Sequence, residues 1–195
     1  MHEADNMSKA AAAVQAVCQG ELVVIPTDTV YGIGANPFDS GSVAKLLQAK
    51  GRGEQMPPPV LVSDLEQART VGLVPAWVEK FWPGPLTVVV PTVTKLGWDK
   101  DTVALRVPAD EATLSLLTQT GPLAVTSANK TGEPPAKTVS EAWQYFGRTV
   151  AVYIDGGTSP LGKASTIADL TDGRPRLLRN GALDWDEVEC AYISY

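Results

Sequence analysis

Short apolar runs, each too brief for a helix, recur along this chain, and segments with helical spacing lie between many of them. The runs are LVVI at 22–25, PVLV at 59–62, LTVVVPT at 86–92, TVALRVP at 102–108 and LAVT at 123–126, then VAVYI, STIADL and RLLR further on. Runs of this length fill the middle of a sheet. The intervening helices carry their own punctuation. An Ala-rich segment capped by Asn6 or Ser8 stops at Gly20, and SVAKLLQAK opens at Asp39 or Ser40 with Val43, Leu46 and Leu47 on one face. SDLEQART and PAWVEKFW read as helices, the latter with Pro75 in its first turn and Pro83 just past its end. DEATLSLLTQT closes at Gly121, TVSE at 138–141 reads as a capping box whose helix closes at Gly147, and a short acidic helix starts near Asp184. Alternation of this kind predicts an α/β fold with helical layers, and the uneven strand spacing predicts a mixed sheet.

Composition narrows the chemistry. The 195 residues suit one domain with a substantial core, at 44% hydrophobic and 19% charged residues. No apolar run approaches the roughly 20 residues that cross a bilayer. The N-terminal stretch has no basic region followed by an apolar one, so no secretion signal is read. Cys18 and Cys190 are far apart in sequence, which points to a reduced, cytoplasmic setting with both thiols as packing groups. His2 is the only histidine, so triads and zinc or iron sites built on histidine are not expected. Sixteen basic residues against 22 acidic ones disfavour a broad nucleic-acid surface but allow a local basic cleft.

Two motifs mimic nucleotide loops and fail on detail. GIGANP at 32–37 places Pro37 where a dinucleotide fingerprint needs its third glycine. GTSPLGKA at 157–164 has P-loop spacing, but Ala164 replaces the hydroxyl residue and a strand, not a helix, follows. AKGRGEQMPPPV is more informative, because Lys50 and Arg52 flank Gly51 at a helix end and three prolines stiffen the exit. A point charge beside a planar fork suits polyphosphate, while the same cations also suit a solvated helix C-terminus. Arg106 interrupts an apolar strand, which implies either a buried anionic partner or an outward-facing edge position. Three strands run into hydroxyl clusters: Thr27, Asp28 and Thr29; Thr126, Ser127 and Asn129; Ser165 and Thr166. With Lys50, Arg52, Arg106 and Arg179 they imply one anion-binding cleft at the strand ends, where open α/β sheets take ligands.

The blocks IPTDTVYGIGANPFD, AKGR, FWPGPLTVV, TVALRVP, TSAN, TGEPP, IDGG, STIADL and LLRNGA, in that order, resemble the threonylcarbamoyl-AMP synthases, the YrdC-like family. The likeness covers about residues 8–183 of a single 1–195 domain and leaves a short C-terminal tail. It implies a twisted mixed sheet with flanking helices and a concave, locally basic cleft. It implies synthesis of L-threonylcarbamoyladenylate and pyrophosphate from L-threonine, bicarbonate or CO2, and ATP with Mg2+. The product would pass to a downstream transferase that modifies tRNA, with tRNA binding by this chain weak or absent. By the same likeness, Thr27, Arg106 and Ser165 form the threonine pocket, with Arg106 on the carboxylate. Lys50, Arg52, Thr102, Ser127, Asn129 and Arg179 lie on the ATP side, where Lys50 and Arg52 neutralise phosphate charge. No resident metal site is implied. The chain departs from the family at Gly53, Ser63 and Pro135, where members often carry Pro, His and Ser. Two rivals are a carbamoyl-adenylate enzyme like the related domain of hydrogenase-maturation carbamoyltransferases and a double-stranded-RNA module. The absence of acylphosphatase-like and zinc-finger segments disfavours the first, and the acidic composition disfavours the second.

Overall fold

A computed structural model describes residues 2–51 and 57–195, with side chains from residue 9 onward. Helix α1 spans His2–Cys18, so Asn6 and Ser8 lie within it rather than capping it. Strands β1 (Val23–Ile25) and β2 (Gly32–Ala35) follow, then α2 (Ser40–Lys50), β3 (Val60–Leu61) and α3 (Leu65–Arg69). PAWVEKFW forms a 3-10 helix over Ala76–Phe81, with Pro75 as its N-cap. The remainder is β4 (Leu86–Pro91), β5 (Thr102–Arg106), α4 (Glu111–Thr120), β6 (Leu123–Ser127) and α5 (Val139–Phe146). After these come β7 (Val152–Tyr153), β8 (Thr166–Asp169), β9 (Arg176–Arg179) and α6 (Trp185–Ile193).

The caps follow ordinary chemistry. Asp39 accepts the free N–H groups of Gly41 and Ser42 at the start of α2. At the other end Gly51 adopts φ +67°, a left-handed conformation that turns the chain away immediately after Lys50. Thr138 caps α5 by accepting from Glu141 N. The reciprocal bond is displaced by one residue, since Glu141 accepts from Lys137 N instead.

The described strands form one sheet in the order β7-β1-β2-β6-β3-β5-β4-β8-β9. The β1–β7, β3–β5 and β4–β8 pairs are parallel and the other five antiparallel, which makes the sheet mixed as expected. Strand β2 did not emerge from the sequence because two of the four residues of its GIGA are glycines, which strands disfavour. Its glycine is there for space: a Cβ on Gly32 would lie 2.4 Å from Val125 Cγ1 of the adjacent β6.

Alternation of side chains decides which faces are covered. On one face, Val24 and Ile33 pack with Leu46 of α2 and with Ala142 and Phe146 of α5. That same face continues as Val88, Val103 and Leu105, packed beneath α3, the 3-10 helix and α6. On the opposite face, Val23, Ile25 and Leu123 pack under Ala13 and Val17 of α1 and Leu116 and Leu117 of α4. No described helix follows them over β5, β4 and β8, whose outward residues therefore face a cleft. Cys18 and Cys190 are exposed rather than packed, which corrects the expectation for both thiols.

Candidate active site

That uncovered half-face is the floor of a cavity of about 510 Å3. Thr87 and Val89 of β4, Thr102, Ala104 and Arg106 of β5, and Ser165 and Ile167 beside and within β8 line it at every second position. Polar groups come from element ends, as expected, and the cleft extends beyond them along the sheet. Thr27, Thr29, Tyr31, Lys50, Ser127 and Arg179 add to the polar lining, and Pro57, Pro58 and Pro59 form part of the wall.

The hydroxyls after β1 first of all hold their own turn. Thr27 Oγ1 donates to Val30 O at 2.7 Å and accepts from Thr29 N at 3.2 Å and Val30 N at 3.3 Å. Its contact with Thr29 Oγ1 is 3.0 Å. Thr27, Asp28 and Thr29 are all buried. Thr29 accepts from Arg106 Nη1 at 2.8 Å, while Arg106 Nε donates to Gly84 O at 2.9 Å and Nη2 pairs with Asp28 Oδ1. Of the two positions open to Arg106, buried partner or edge, the structure adopts the buried one. Burial pulls the guanidinium below its ordinary pKa; the Asp28 carboxylate opposes this, and the charge of Arg179 adds to the depression.

Lys50 is also buried, at 5% exposure, and is therefore not a solvated helix-end charge. Its Nζ donates to Ser127 O at 2.6 Å, Ser127 Oγ at 3.1 Å and Asn129 Oδ1 at 2.6 Å. Asn129 does not reach the cavity wall. Its amide nitrogen is held by Lys130 O and Glu133 O, so its oxygen orients Lys50 from behind. Arg179 reaches from β9 across β8, donating to Ser165 O through Nε at 3.0 Å and Nη2 at 2.8 Å. Ser165 Oγ in turn meets Thr87 Oγ1 at 2.7 Å. Thr102 lines the cavity at the head of β5. Arg52 and Gly53 lie outside the described residues.

Sequence reasoning passed over Thr87, Tyr31 and Trp98 as lining residues. Thr87 had a usable signal, since it interrupts an apolar strand as Arg106 does. Tyr31 is fully buried; its hydroxyl donates to Gly157 O at 2.7 Å and accepts from Gly156 N at 2.9 Å. Burial pushes its pKa up to about 12, against the Gly156 hydrogen bond and aided by Asp155, and burial does the same for Tyr153. Both phenols thus favour the folded state fully below their ordinary value of 10.0, and that contribution is lost as pH rises toward about 12. Urea unfolding across that window should show falling stability, with a shallower fall in Tyr31→Phe; an unchanged slope would contradict the assignment.

No group of three or more His, Cys, Asp or Glu residues that could hold a metal ion occurs among the described residues. None of the described helices is long and apolar enough to cross a membrane. Fold and site together define an α/β protein with a cationic, hydroxyl-lined cleft on an open half-face of a mixed sheet. The chain belongs to the Sua5, YciO and YrdC family, whose model, described as "Telomere recombination", matches residues 15–181. It is 45% identical over 187 residues to the putative threonylcarbamoyl-AMP synthase of Mycobacterium tuberculosis (strain CDC 1551 / Oshkosh), covering 90% of this chain and 85% of that protein. It is 38% identical over 181 residues to the threonylcarbamoyl-AMP synthase of Pyrococcus abyssi, covering 88% of this chain and 53% of that one. The crystal structure of P. abyssi Sua5 complexed with L-threonine superposes with a TM-score of 0.87 at 36% identity, covering 92% of this chain and 56% of that chain. This chain thus spans about half the length of the P. abyssi protein.

Proposed function

We infer that this chain is a threonylcarbamoyl-AMP synthase, an enzyme that condenses L-threonine, bicarbonate or CO2, and ATP into threonylcarbamoyl-AMP and pyrophosphate. The observation that carries the reading is the gathering of Lys50, Arg106, Arg179 and a set of hydroxyl residues that includes Thr27, Thr87, Ser127 and Ser165 around one cavity. Family membership and the likeness to a threonine-bound relative support it. The cavity volume also falls within the roughly 300–1,000 Å3 of small-molecule sites.

The threonine carboxylate pairs with Arg106, with Thr27 and Ser165 completing the amino-acid pocket. The neutral amine adds to CO2, forming the C–N bond of a carbamate and releasing one proton. A carbamate oxygen then attacks the α-phosphorus of ATP in line, and the bond to the departing pyrophosphate breaks. Lys50 and Arg52 offset charge on the phosphates, with Thr102, Ser127 and Arg179 on the nucleotide side; Asn129 serves that side by orienting Lys50. Such a reaction needs positioning and charge stabilisation rather than a covalent side-chain nucleophile. Mg2+ enters as part of the nucleotide substrate, held by phosphates and water.

A cytoplasmic setting suits an enzyme of ATP and bicarbonate, and its product suits a transferase that acts on tRNA. The cleft cations are committed to small anions, so adenylate formation needs no tRNA. The test incubates the chain with ATP, threonine and bicarbonate, omits each in turn, and follows pyrophosphate and the adenylate by mass. Product should require all three and be unchanged by tRNA. Threonine-independent ATP cleavage, or tight, salt-resistant RNA binding without turnover, would overturn the reading.

A further inference from the structure

The floor of the cavity changes character along its strands. At one end stand Arg106 of β5, Thr87 of β4, Ser165 and Arg179, and the threonine reading uses that end. Moving away from Arg106 along β5, the next outward residue is Ala104, paired with Val89 of β4. Leu178 joins them from β9, where a register shift against β8 leaves it without an opposite residue. It is 51% exposed, so a large apolar side chain borders the cavity half in solvent. Thr102 comes last. At roughly 3.4 Å per residue it lies about 14 Å from Arg106 along the strand, further than one threonine molecule extends.

Four residues before Thr102, Trp98 enters the lining from the loop that links β4 to β5. Thr92 N closes that loop by donating to Asp101 O at 2.9 Å, and Gly97 N ties it to the approach to α2 by donating to Pro37 O at 2.7 Å. Gly97 permits the close approach, since a Cβ there would lie 3.1 Å from Ser40 N and Cα. The indole packs against both cores of the covered face while also lining the cavity, so it stands at the strand ends where the two meet. Its Nε1 is buried and has no hydrogen-bond partner. The N–H is therefore not what the cavity meets; Trp98 presents the carbon surface of its ring.

A nucleotide with its phosphates near Lys50 and Arg179 must extend its base along the cavity beyond them. Threonine takes the Arg106 end, which leaves the end at Thr102 and Trp98. A flat aromatic surface suits a base because every base has a π-face, whichever groups its edge carries. We propose that Trp98 is the nucleobase contact of this cavity: its ring, with Val89, Ala104 and Leu178, takes the base of ATP by stacking and apolar contact. The proposal rests on the reading of ATP as a substrate.

The test compares ATP with inorganic tripolyphosphate, which carries phosphates and no base. Trp98→Leu keeps an apolar side chain and removes the ring. It should raise the KM for ATP about tenfold or more, the ordinary cost of one lost base–aromatic stack, with the KM for threonine unchanged. Tripolyphosphate should inhibit parent and variant with the same constant against ATP, because it lacks the part that Trp98 touches. Trp98→Phe keeps a ring while deleting the unpaired N–H, and its KM for ATP should stay within about threefold of the parent's. Under excitation selective for tryptophan, AMP should quench the parent's fluorescence and tripolyphosphate should not. Trp98→Phe should lose most of that AMP effect, and this arm stands even where Trp98→Leu does not fold. A purely structural Trp98 would shift both KM values, the tripolyphosphate constant and the melting temperature together in Trp98→Leu. It would also leave AMP quenching intact in Trp98→Phe, and either result would refute the proposal. Turnover by a parent protein that AMP does not quench would overturn the Trp98 inference alone. A parent that neither cleaves ATP with threonine and bicarbonate nor binds AMP would overturn the substrate reading and this inference with it.

Discussion

Replacing Lys50 with methionine should lower turnover by about 10²–10³-fold, the usual loss when one preorganised charge stabiliser is removed from an active site. Methionine keeps most of the aliphatic stem, so the loss reports the ammonium group rather than a void. A solvated helix-end cation, one of the two readings the sequence left open for Lys50, would contribute little to stability. The structure changes that expectation. With Lys50 buried, its loss strands Ser127 O and Asn129 Oδ1, and an unsatisfied buried acceptor costs about 1–3 kcal/mol. Urea unfolding should register that cost while the chain still folds. Asn129→Ala is the complementary variant, because it removes the amide oxygen that orients Lys50, and turnover should fall there too with the lysine still in place. A Lys50→Met enzyme working within a few-fold of the parent would remove Lys50 from the mechanism.

Valine in place of threonine should reduce kcat/KM by about 10⁴-fold, whereas serine should lose only about 10–200-fold. The difference follows from a proton count. Thr87 Oγ1 and Ser165 Oγ share one hydrogen bond, whichever of them donates, and Arg179 Nη2 donates to Ser165 Oγ at 3.1 Å. Two hydroxyls carry two protons, and one bond between them uses one. The remaining proton has no acceptor among the hydrogen bonds named for the pair, and both residues line the cavity. The hydroxyl oxygen of threonine can accept that proton, and so can that of serine, which lacks only a methyl group. Valine has nearly the same shape as threonine but buries the unmatched donor, and an unmatched buried donor is what makes such sites discriminating. Pyrophosphate release supported by valine and threonine with comparable kcat/KM would contradict this pocket assignment.

Much of the architecture could be read from the chain because apolar runs and caps act locally. Val88, Val103 and Leu105 alternate with outward residues, and Asp39, Gly51, Gly121 and Asp184 mark helix ends that the structure retains. Strand β2 was missed because Gly32 and Gly34 are placed for backbone approach to β6, a tertiary demand that no strand propensity records. The segment at Ala76–Phe81 was read only as a helix, and its 3-10 form was not legible because apolar spacing over two turns does not separate the two forms. In the site, charged and hydroxyl residues stood out by type, and cavity lining brings together Thr27, Lys50, Thr102, Arg106, Ser127, Ser165 and Arg179. What sequence could not supply was direction. Asn129 differs from Ser127 by facing away from the cavity, and Asp28 differs from its threonine neighbours in the same way. Both contact a cation that only the folded chain brings beside them.

The strand order also has a bearing on how the protein is made. Val23 of β1 pairs with Val152 of β7, and Leu86 of β4 pairs with Thr166 of β8. Strands that leave the ribosome early therefore wait for partners that leave late. At about 5–20 residues per second that delay lasts several seconds, during which their ladder groups and apolar faces lack their final cover. Sheets with such distant pairing also fold slowly, on the order of milliseconds to seconds even when the whole chain is present. Ser165 and Arg179 reach the cavity only with β8 and β9, so a nascent chain that already displays Thr27 and Lys50 still lacks one wall. Catalytic competence is thus gained near the end of synthesis, and a prematurely terminated chain would expose sheet edges without acquiring a complete site.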